Sequence, residues 1–399
     1  MSEAPWLTVV GLGEDGPQGL AAASRKALEN AEIVMGSARH LGLLPDLAAE
    51  RVTWPVPFAD GLPRLLELRG RAVAVLASGD PFWFGAGSVI ARHLDCGEWC
   101  ALPGPSTFTL AAARLGWPLE TTLTLGLHAA PLTRLRPHLV SGQRLVVLLR
   151  NGAAVTELAD WLAQTGFGDT HMHVMEALGG PRERVRSGMA AALGFKDIGH
   201  PVCVGLDIAG SGLSLPRVSG LPDAIFENDG QITKRPVRAL TLSTLAPRPG
   251  EHLWDIGGGS GSIAIEWLLS HPATGATTIE PRPDRAARIR ANADALGVDR
   301  LRIITGSAPE SLSGLKSPDA VFVGGGLSQD LLTWLNDHLP TGTRLVANAV
   351  TLESEALLIH WQARLGGDLL RIELAQAAPL GARTGWKSAY PVVQWSVTL

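Results

Sequence analysis

His252-Leu253-Trp254-Asp255-Ile256-Gly257-Gly258-Gly259-Ser260-Gly261-Ser262-Ile263-Ala264-Ile265-Glu266-Trp267 decides how the second half of the chain folds. An apolar run ends in a glycine-rich turn, and a helix pattern follows at once. Glycines let the backbone turn tightly and approach a ligand closely. The helix start behind them offers free N–H groups to an anion. Glu280 ends the next apolar run, 23 residues beyond Gly257. A carboxylate placed there can take both hydroxyls of a ribose. Outward from this point the alternation continues: a helix over Asp284–Leu296, then strands at Leu301–Ala308, Asp319–Gly326 and Arg344–Val350. The pattern predicts a parallel α/β sheet. Arg371–Leu399 reads as two strands separated by a long loop.

The first half alternates in the same way. Leu7–Gly13 reads as a strand entering a glycine turn, Gly19–Asn30 as a helix and Ile33–Met35 as a strand. Ala72–Asp80 is a buried strand, and Ser88–His93 is helical. Strands follow near Thr121–Leu127 and at Arg144–Leu149, with a helix over Ala153–Gln164. Paired strands flank the turn Gly179–Arg182, and Pro201–Ile208 is the last strand. Gly11–Gly16 satisfies G-x-G-x-x-G, and Glu32 lies 21 residues after Gly11. Glu32, however, precedes its strand, whereas a ribose-binding acid ends one, so a dinucleotide site is not expected here. Residues 209–230 are rich in Gly, Ser and Pro and read as a linker between domains 1–208 and 231–399.

The chain has 399 residues, 46% hydrophobic and 18% charged, with net charge −4. At about 150 residues per domain this is two or three folded domains. The charge argues against a dedicated nucleic-acid binder. No apolar run reaches the roughly 18 residues of a membrane span. Cys96, Cys100 and Cys203 are too few for a disulfide framework, and the N-terminus lacks a basic leader, so a cytoplasmic protein is expected. Five of the 34 basic residues are lysine. This matters because arginine binds carboxylates bidentately and lysine does not.

The spacing Asp255-x-Gly257-x-Gly259-x-Gly261 resembles the loop of class I S-adenosylmethionine (SAM) methyltransferases. Ser307 and Ala308 end the third strand, where adenine would lie. Gly324-Gly325-Gly326 stands where methyltransferases of amino groups usually carry Asn-Pro-Pro-aromatic, which weighs against base or glutamine methylation. Ile232-Thr233-Lys234-Arg235-Pro236-Val237-Arg238 precedes the first strand, with Thr233 a candidate N-cap. Together these motifs resemble the decarboxylating C15-methyltransferase module of cobalamin biosynthesis, from about Gln231 to Leu399. The resemblance implies that Thr233, Gly257, Gly258, Gly259, Ser260, Gly261, Glu280 and Ala308 contact SAM.

In the first half, Val9–Gly16, Ala77–Phe82 and Pro103–Phe108 each follow an apolar strand. In this order they resemble the tetrapyrrole methylase family, from about Trp6 to Ile208. The implied fold is two α/β subdomains with SAM in the cleft, contacted by Gly11, Gly13, Gly79, Asp80, Ser106 and Thr107. Glu14 and Asp15 depart from the G-x-G-P-G usual in that family and look like the variant of its fused, two-module members. Asp80 either orients the substrate or caps a turn, and His128 is a further cleft candidate.

The combined resemblance implies an α/β protein with an N-terminal tetrapyrrole methylase fold and a C-terminal Rossmann-like class I methyltransferase domain. It would hold one SAM per domain and act on precorrin-6B. The first module would methylate C5; the second would methylate C15 and remove CO2 from the C12 acetate. The proton donor is not identified. Arg282, Arg285, Arg288 and Arg290 either hold substrate carboxylates or form a solvated helix face. Neither a nucleic acid nor a membrane partner is expected, and a homo-oligomer is expected by analogy with related modules. Methylation of another large substrate, or SAM binding without catalysis, are the alternative readings.

Overall fold

A computed structural model describes residues 5–399. The chain divides into two compact units. One holds the residues up to Ala130 together with Leu139–Leu213; the other holds Pro131–His138 and Ser214–Leu399.

The first unit contains two sheets. Strands β1 (Leu7–Leu12), β2 (Ile33–Gly36), β3 (Glu50–Thr53), β4 (Val73–Ser78) and β5 (Trp99–Leu102) form a parallel sheet in the order β3-β2-β4-β1-β5. β1, β2 and β4 are buried along almost their whole length, as near-continuous apolar runs require. The second sheet is mixed, with order β6-β7-β10-β8-β9, built from β6 (Leu123–Gly126), β7 (Arg144–Leu149), β8 (His171–Glu176), β9 (Arg184–Met189) and β10 (Val202–Asp207). Its β6–β7 pair is parallel and the rest antiparallel. The helix Thr107–Leu115 packs Phe108 and Ala111 into one core with Val146, Met175 and Cys203.

The second unit is a seven-stranded sheet: β11 (His252–Ile256), β12 (Gly275–Glu280), β13 (Arg302–Thr305), β14 (Ala320–Val323), β15 (Arg344–Ala349), β16 (Asp368–Ile372) and, beyond a hairpin, β19 (Val392–Thr398). The order is β13-β12-β11-β14-β15-β19-β16. The first five strands are parallel, and β19 runs antiparallel to both neighbours. The order reverses at β11, and ligands of open α/β sheets bind outside the carboxyl ends of strands at such a reversal.

Three elements differ from the sequence reading. β3 is a short edge strand without the long apolar run that marks β1 or β4, whereas β5, at the other edge, is the strand expected before Pro103. The expected loop after Arg371 contains a hairpin, β17 (Ala375–Leu380) and β18 (Arg383–Ser388), turning at Gly381 with φ +57. Its strands carry few β-branched residues, so the period-2 signal is weak. Thr233 is not a helix cap: the helix spans Arg235–Leu245 with Lys234 before it and Pro236 in its first turn.

The stretch 209–230 carries Leu215, Leu221 and Phe226 into the core of the second unit. It is also tied there by charge. Arg238 is fully buried and donates to Glu266 Oε1 at 2.6 Å, to Asp223 Oδ1 at 3.0 Å and to the carbonyls of Thr233 and Leu221. Glu266 in turn accepts the backbone N–H groups of Gly220 (2.6 Å) and Leu221 (2.9 Å). A hydrogen bond to a charged group is worth about 1.5–3 kcal/mol, and a chain starting at Asp223 would lose the Gly220 and Leu221 backbone partners of this pair while keeping its ionic ones. A C-terminal fragment starting at Ser214 is therefore expected to be more stable than one starting at Asp223 by at least about 1.5–3 kcal/mol, measured by urea unfolding of both. Equal stability would show that the segment adds nothing.

Candidate active sites

In the first unit β4, β1 and β5 are neighbours, and their carboxyl ends run into the three loops singled out in the sequence. The loops touch backbone to backbone. A Cβ at Gly11 would lie 1.9 Å from the Gly79 carbonyl oxygen and 2.5 Å from the Gly104 nitrogen. The Gly104 N–H donates to that carbonyl at 3.0 Å. At this junction lies a cavity of about 550 Å³, within the roughly 300–1,000 Å³ of small-molecule sites. Gly13, Gly79, Asp80, Ser106, Thr107 and His128 line it; Gly11 does not, being a packing position between the loops. Asp80 Oδ1 accepts the Phe82 N–H at 2.8 Å, so this side chain caps its own turn. Ser106 Oγ accepts the Thr109 N–H at 3.1 Å and caps the helix Thr107–Leu115.

Other lining residues carried no motif. Ser37 caps a short helix by accepting the His40 N–H at 3.2 Å, which brings Arg39 and His40 to the cavity. Arg39 Nη2 and His40 Nε2 both reach Ser78 Oγ, at 2.8 and 2.9 Å. Arg39 also pairs with the buried carboxylate of Glu14, whose other oxygen accepts from Arg182 Nη2 at 3.0 Å. Glu14, the departure noted in the first loop, thus links that loop to the turn between β8 and β9. Burial, reinforced by the Arg39 charge, pushes the His40 pKa down to about 3. Trp83 and Phe84 form an aromatic wall against Phe108, with centroids 5.4 and 5.8 Å away.

In the second unit a cavity of about 590 Å³ lies at the carboxyl ends of β11, β12 and β14, where the strand order reverses. Thr233, Gly257, Gly258, Gly259, Ser260, Glu280, Ser307 and Ala308 line it. Gly261 lies outside the lining, at the start of the helix Ser262–Ser270; a Cβ on it would meet Ile289 at 2.7 Å. Gly257 has φ +75, and a Cβ there would come within 2.6 Å of the Gly325 backbone. Glu280 is buried and bridges the site: Oε2 accepts the Gly259 N–H at 2.8 Å and Oε1 accepts the Arg282 N–H at 3.0 Å. Each oxygen keeps acceptor capacity for a diol. Beneath the loop, burial pushes Asp255 up to about 7, against hydrogen bonds from Ala264 and Thr278 and with the Glu280 charge adding to the rise.

Arg282, which precedes the helix Pro283–Ala295, and the arginines of that helix are paired within the protein. Arg282 pairs with Asp284, and Arg285 and Arg288 share Asp229. Arg290 pairs with Asp294 and donates to the carbonyls of Asp299 and Leu301. Among the described residues no group of three His, Cys, Asp or Glu side chains is placed to hold a metal. Among the described residues no helix is long and apolar enough to cross a membrane.

Two cavities at glycine-rich strand ends, in units of different topology, frame the comparisons with known proteins. Residues 7–194 match the family of tetrapyrrole (corrin/porphyrin) methylases, and residues 224–399 match the precorrin methyltransferase domain. Over 399 residues the chain is 49% identical to a precorrin-6Y C(5,15)-methyltransferase (decarboxylating) of Sinorhizobium sp, covering 99% of this chain and 96% of the relative. The chain belongs to the precorrin-6Y C(5,15)-methyltransferase (decarboxylating) family. A further relative of that name, from Mycobacterium tuberculosis, is 43% identical over 397 residues, 98% of this chain and 99% of the other. The crystal structure of the C-terminal domain of precorrin-6Y C5,15-methyltransferase from Rhodobacter capsulatus is 54% identical. It covers 46% of this chain and all of that one, with TM-score 0.45.

Membership of the precorrin-6Y methyltransferase family makes this chain a decarboxylating C-methyltransferase of cobalamin biosynthesis, with SAM as methyl donor. The residues of the second cavity fit that donor. At Gly258 a Cβ would strike the buried Thr278 Oγ1 at 2.2 Å beneath the loop, so bare backbone of Gly257–Gly259 faces the cavity. The Glu280 carboxylate stands beside it with lone pairs to spare.

The His40 geometry has a consequence for stability. Its folded pKa lies below the usual 6.5 of an unfolded histidine, so below pH 6.5 the unfolded state takes the proton first. Stability present above pH 6.5 is therefore lost progressively as pH falls towards 3. Acidification to pH 5 is expected to cost the first unit on the order of 2 kcal/mol through this group. Urea unfolding of the wild type and His40→Asn at pH 7 and pH 5 checks this: the variant's loss should be smaller by that amount. An equal loss in both would assign the acid sensitivity elsewhere.

Proposed function

We propose that the two units carry two independent SAM sites that act on one tetrapyrrole, precorrin-6B. The first unit, which holds most of the expected 1–208 domain, methylates C5. The second, covering 231–399, methylates C15 and removes CO2 from the C12 acetate. The observation that carries this reading is the pair of separate glycine-lined cavities, each enclosed by residues of its own unit. In the first, Gly13, Gly79, Asp80, Ser106 and Thr107 border the cofactor, with Gly11 setting the floor. In the second, Thr233, Gly257, Gly258, Gly259, Ser260, Glu280 and Ala308 border it, with Gly261 holding the helix start.

Bound SAM supplies an electrophilic methyl on a sulfonium. The meso carbons of a reduced tetrapyrrole behave as enamine carbons, so transfer needs alignment more than a strong base. The loops supply that alignment. Glu280 fixes the Gly259 N–H and the ribose side of the cradle, and the Gly324–Gly326 strand end leaves space for a macrocycle. In the first unit Trp83 and Phe84 offer a flat apolar wall, with Arg39 and His40 also on the lining.

The protein acts as a cytoplasmic homo-oligomer without nucleic acid. The net charge of −4 and three free cysteines support the surroundings. The β17–β18 hairpin supports the assembly. Its strands pair only with each other, and Leu380, Trp386 and Tyr390 are 70%, 79% and 84% exposed. A bare two-stranded hairpin is marginally stable in water and gains from being covered.

Incubation with SAM and precorrin-6B should give a product heavier by two methyl groups and lighter by one CO2. An unchanged mass, with SAM still bound, would remove this substrate. Gly259→Arg places a long side chain at φ +59 in the second cavity. It is expected to abolish C15 methylation and leave C5 methylation intact, read from product mass; loss of both in a folded variant would contradict independent sites. Trp386→Asp should shift light-scattering mass towards the monomer, and an unaltered mass would place any interface elsewhere.

A further inference from the structure

Asn348 lies next to the end of β15, beside the strand that leads into Gly324–Gly326, and it lines the second cavity. Its amide is held in one orientation. Thr241 Oγ1 gives its single proton to the Val237 carbonyl at 2.9 Å, so towards its other neighbours it accepts. Two amides donate to it, Asn348 Nδ2 and Gln394 Nε2, each at 3.0 Å. Gln394 Nε2 spends its other proton on Asn348 Oδ1 at 2.9 Å. Thr241 and Gln394 are buried, and Asn348 is half-buried. These bonds settle which end of each amide is nitrogen. Asn348 keeps one N–H and one acceptor position uncommitted, at the cavity lining.

Lys234 lines the same cavity. It is exposed and has no ion-pair partner among the described residues. Arg285, which also lines the cavity, is held by Asp229.

We propose that Asn348 and Lys234 receive the acetate carboxylate that the second unit removes, Asn348 orienting it and Lys234 balancing its charge. This deepens the C15 assignment above and rests on it. The chemistry favours such a pair over an arginine. A bidentate arginine would hold the ionised carboxylate, the reactant state that decarboxylation must leave, more tightly than one N–H and an exposed, flexible ammonium do. One fixed N–H sets the direction of the C–CO2 bond with a weaker hold on that state. As the bond breaks, its electron pair stays with the substrate and is taken up by the protonated conjugated ring. CO2 departs, and one proton from solvent completes the methyl group.

The test uses the full-length protein with SAM and precorrin-6B, in the variants Asn348→Asp and Lys234→Met. Both are expected to raise KM for the tetrapyrrole about tenfold or more, since each loses a contact to a charged group. SAM affinity should stay within about twofold of wild type. Both should also accumulate a product methylated at C15 that retains the mass of CO2. Gln394→Leu, which frees the Asn348 amide without removing it, should give the same retained carboxyl with a smaller change in KM. If Asn348→Asp loses SAM binding, exposed Lys234→Met decides. Unaltered KM and complete decarboxylation in the SAM-binding variants would overturn the proposal. Wild-type protein that adds no methyl at C15 would instead overturn the reading beneath it.

Discussion

Backbone pressed against backbone is the constraint on which both sites depend. In the first unit the strand ends of β1, β4 and β5 meet at Gly11 and Gly79, where backbone leaves no room for a side chain, with Gly104 packed closely beside them. In the second, Gly257 after β11 is pressed against the Gly325 backbone after β14, with no room for a side chain on Gly257. Such closeness requires neighbouring parallel strands that end at one level. That in turn requires strands buried on both faces, hence apolar runs such as Val73–Ala77 and Ala320–Val323. The loops are then shaped by the sheet beneath them. A ligand meets a surface whose N–H groups are already placed, and little ordering remains to oppose binding.

Buried charge holds the remaining walls. Arg238 and Glu266 are both shielded from water, and their mutual attraction alone does not repay that burial. Their additional partners explain the arrangement: together they bind the carbonyls of Thr233 and Leu221 and the amides of Gly220 and Leu221. The pair therefore fixes the path of the segment that brings Thr233 to the second cavity. Glu14 plays the comparable part in the first unit, where an arginine of the helix capped by Ser37 and one of the turn between β8 and β9 converge on its carboxylate. Both networks place a flexible loop under a constraint that apolar packing alone would satisfy less specifically.

Much of this was legible in the sequence. The strand-to-glycine transitions at Val10–Gly13, Ser78–Gly79 and Ile256–Gly257 locate both cavities, because a buried strand ending in glycine is a local signal. Glu280 was readable for the same reason. Arg39, His40, Trp83 and Phe84 were not singled out. They reach the first cavity from separate segments of the chain, and a short helix or an aromatic run states nothing about what lies opposite it in space. The composition of 209–230 suggested a linker, yet Leu215, Leu221 and Phe226 supply apolar anchors at intervals too irregular to register as an element. Glycines at strand ends also hid a distinction. Gly11 and Gly261 belong to the motifs but serve packing, and only the depth of each backbone position separates them from Gly13 and Gly259.

Carbon methylation explains why the second cavity looks as it does. Methyltransferases of amino groups place a side-chain amide and an aromatic ring at the end of the fourth strand, where they grip a small planar nitrogen. Here that position is Gly324-Gly325-Gly326, and the strand ends without a side chain between the cofactor cradle and β15. A macrocycle needs that width, but width alone recognises nothing. Polar contact must then come from the next strand over. Asn348 stands there, with its amide already fixed by Thr241 and Gln394 before any substrate arrives. Space and recognition are thus assigned to adjacent strands: glycine on β14's loop gives the first, and a locked amide on β15 gives the second. A residue that filled the glycine turn to add a contact would remove the room that makes the contact useful.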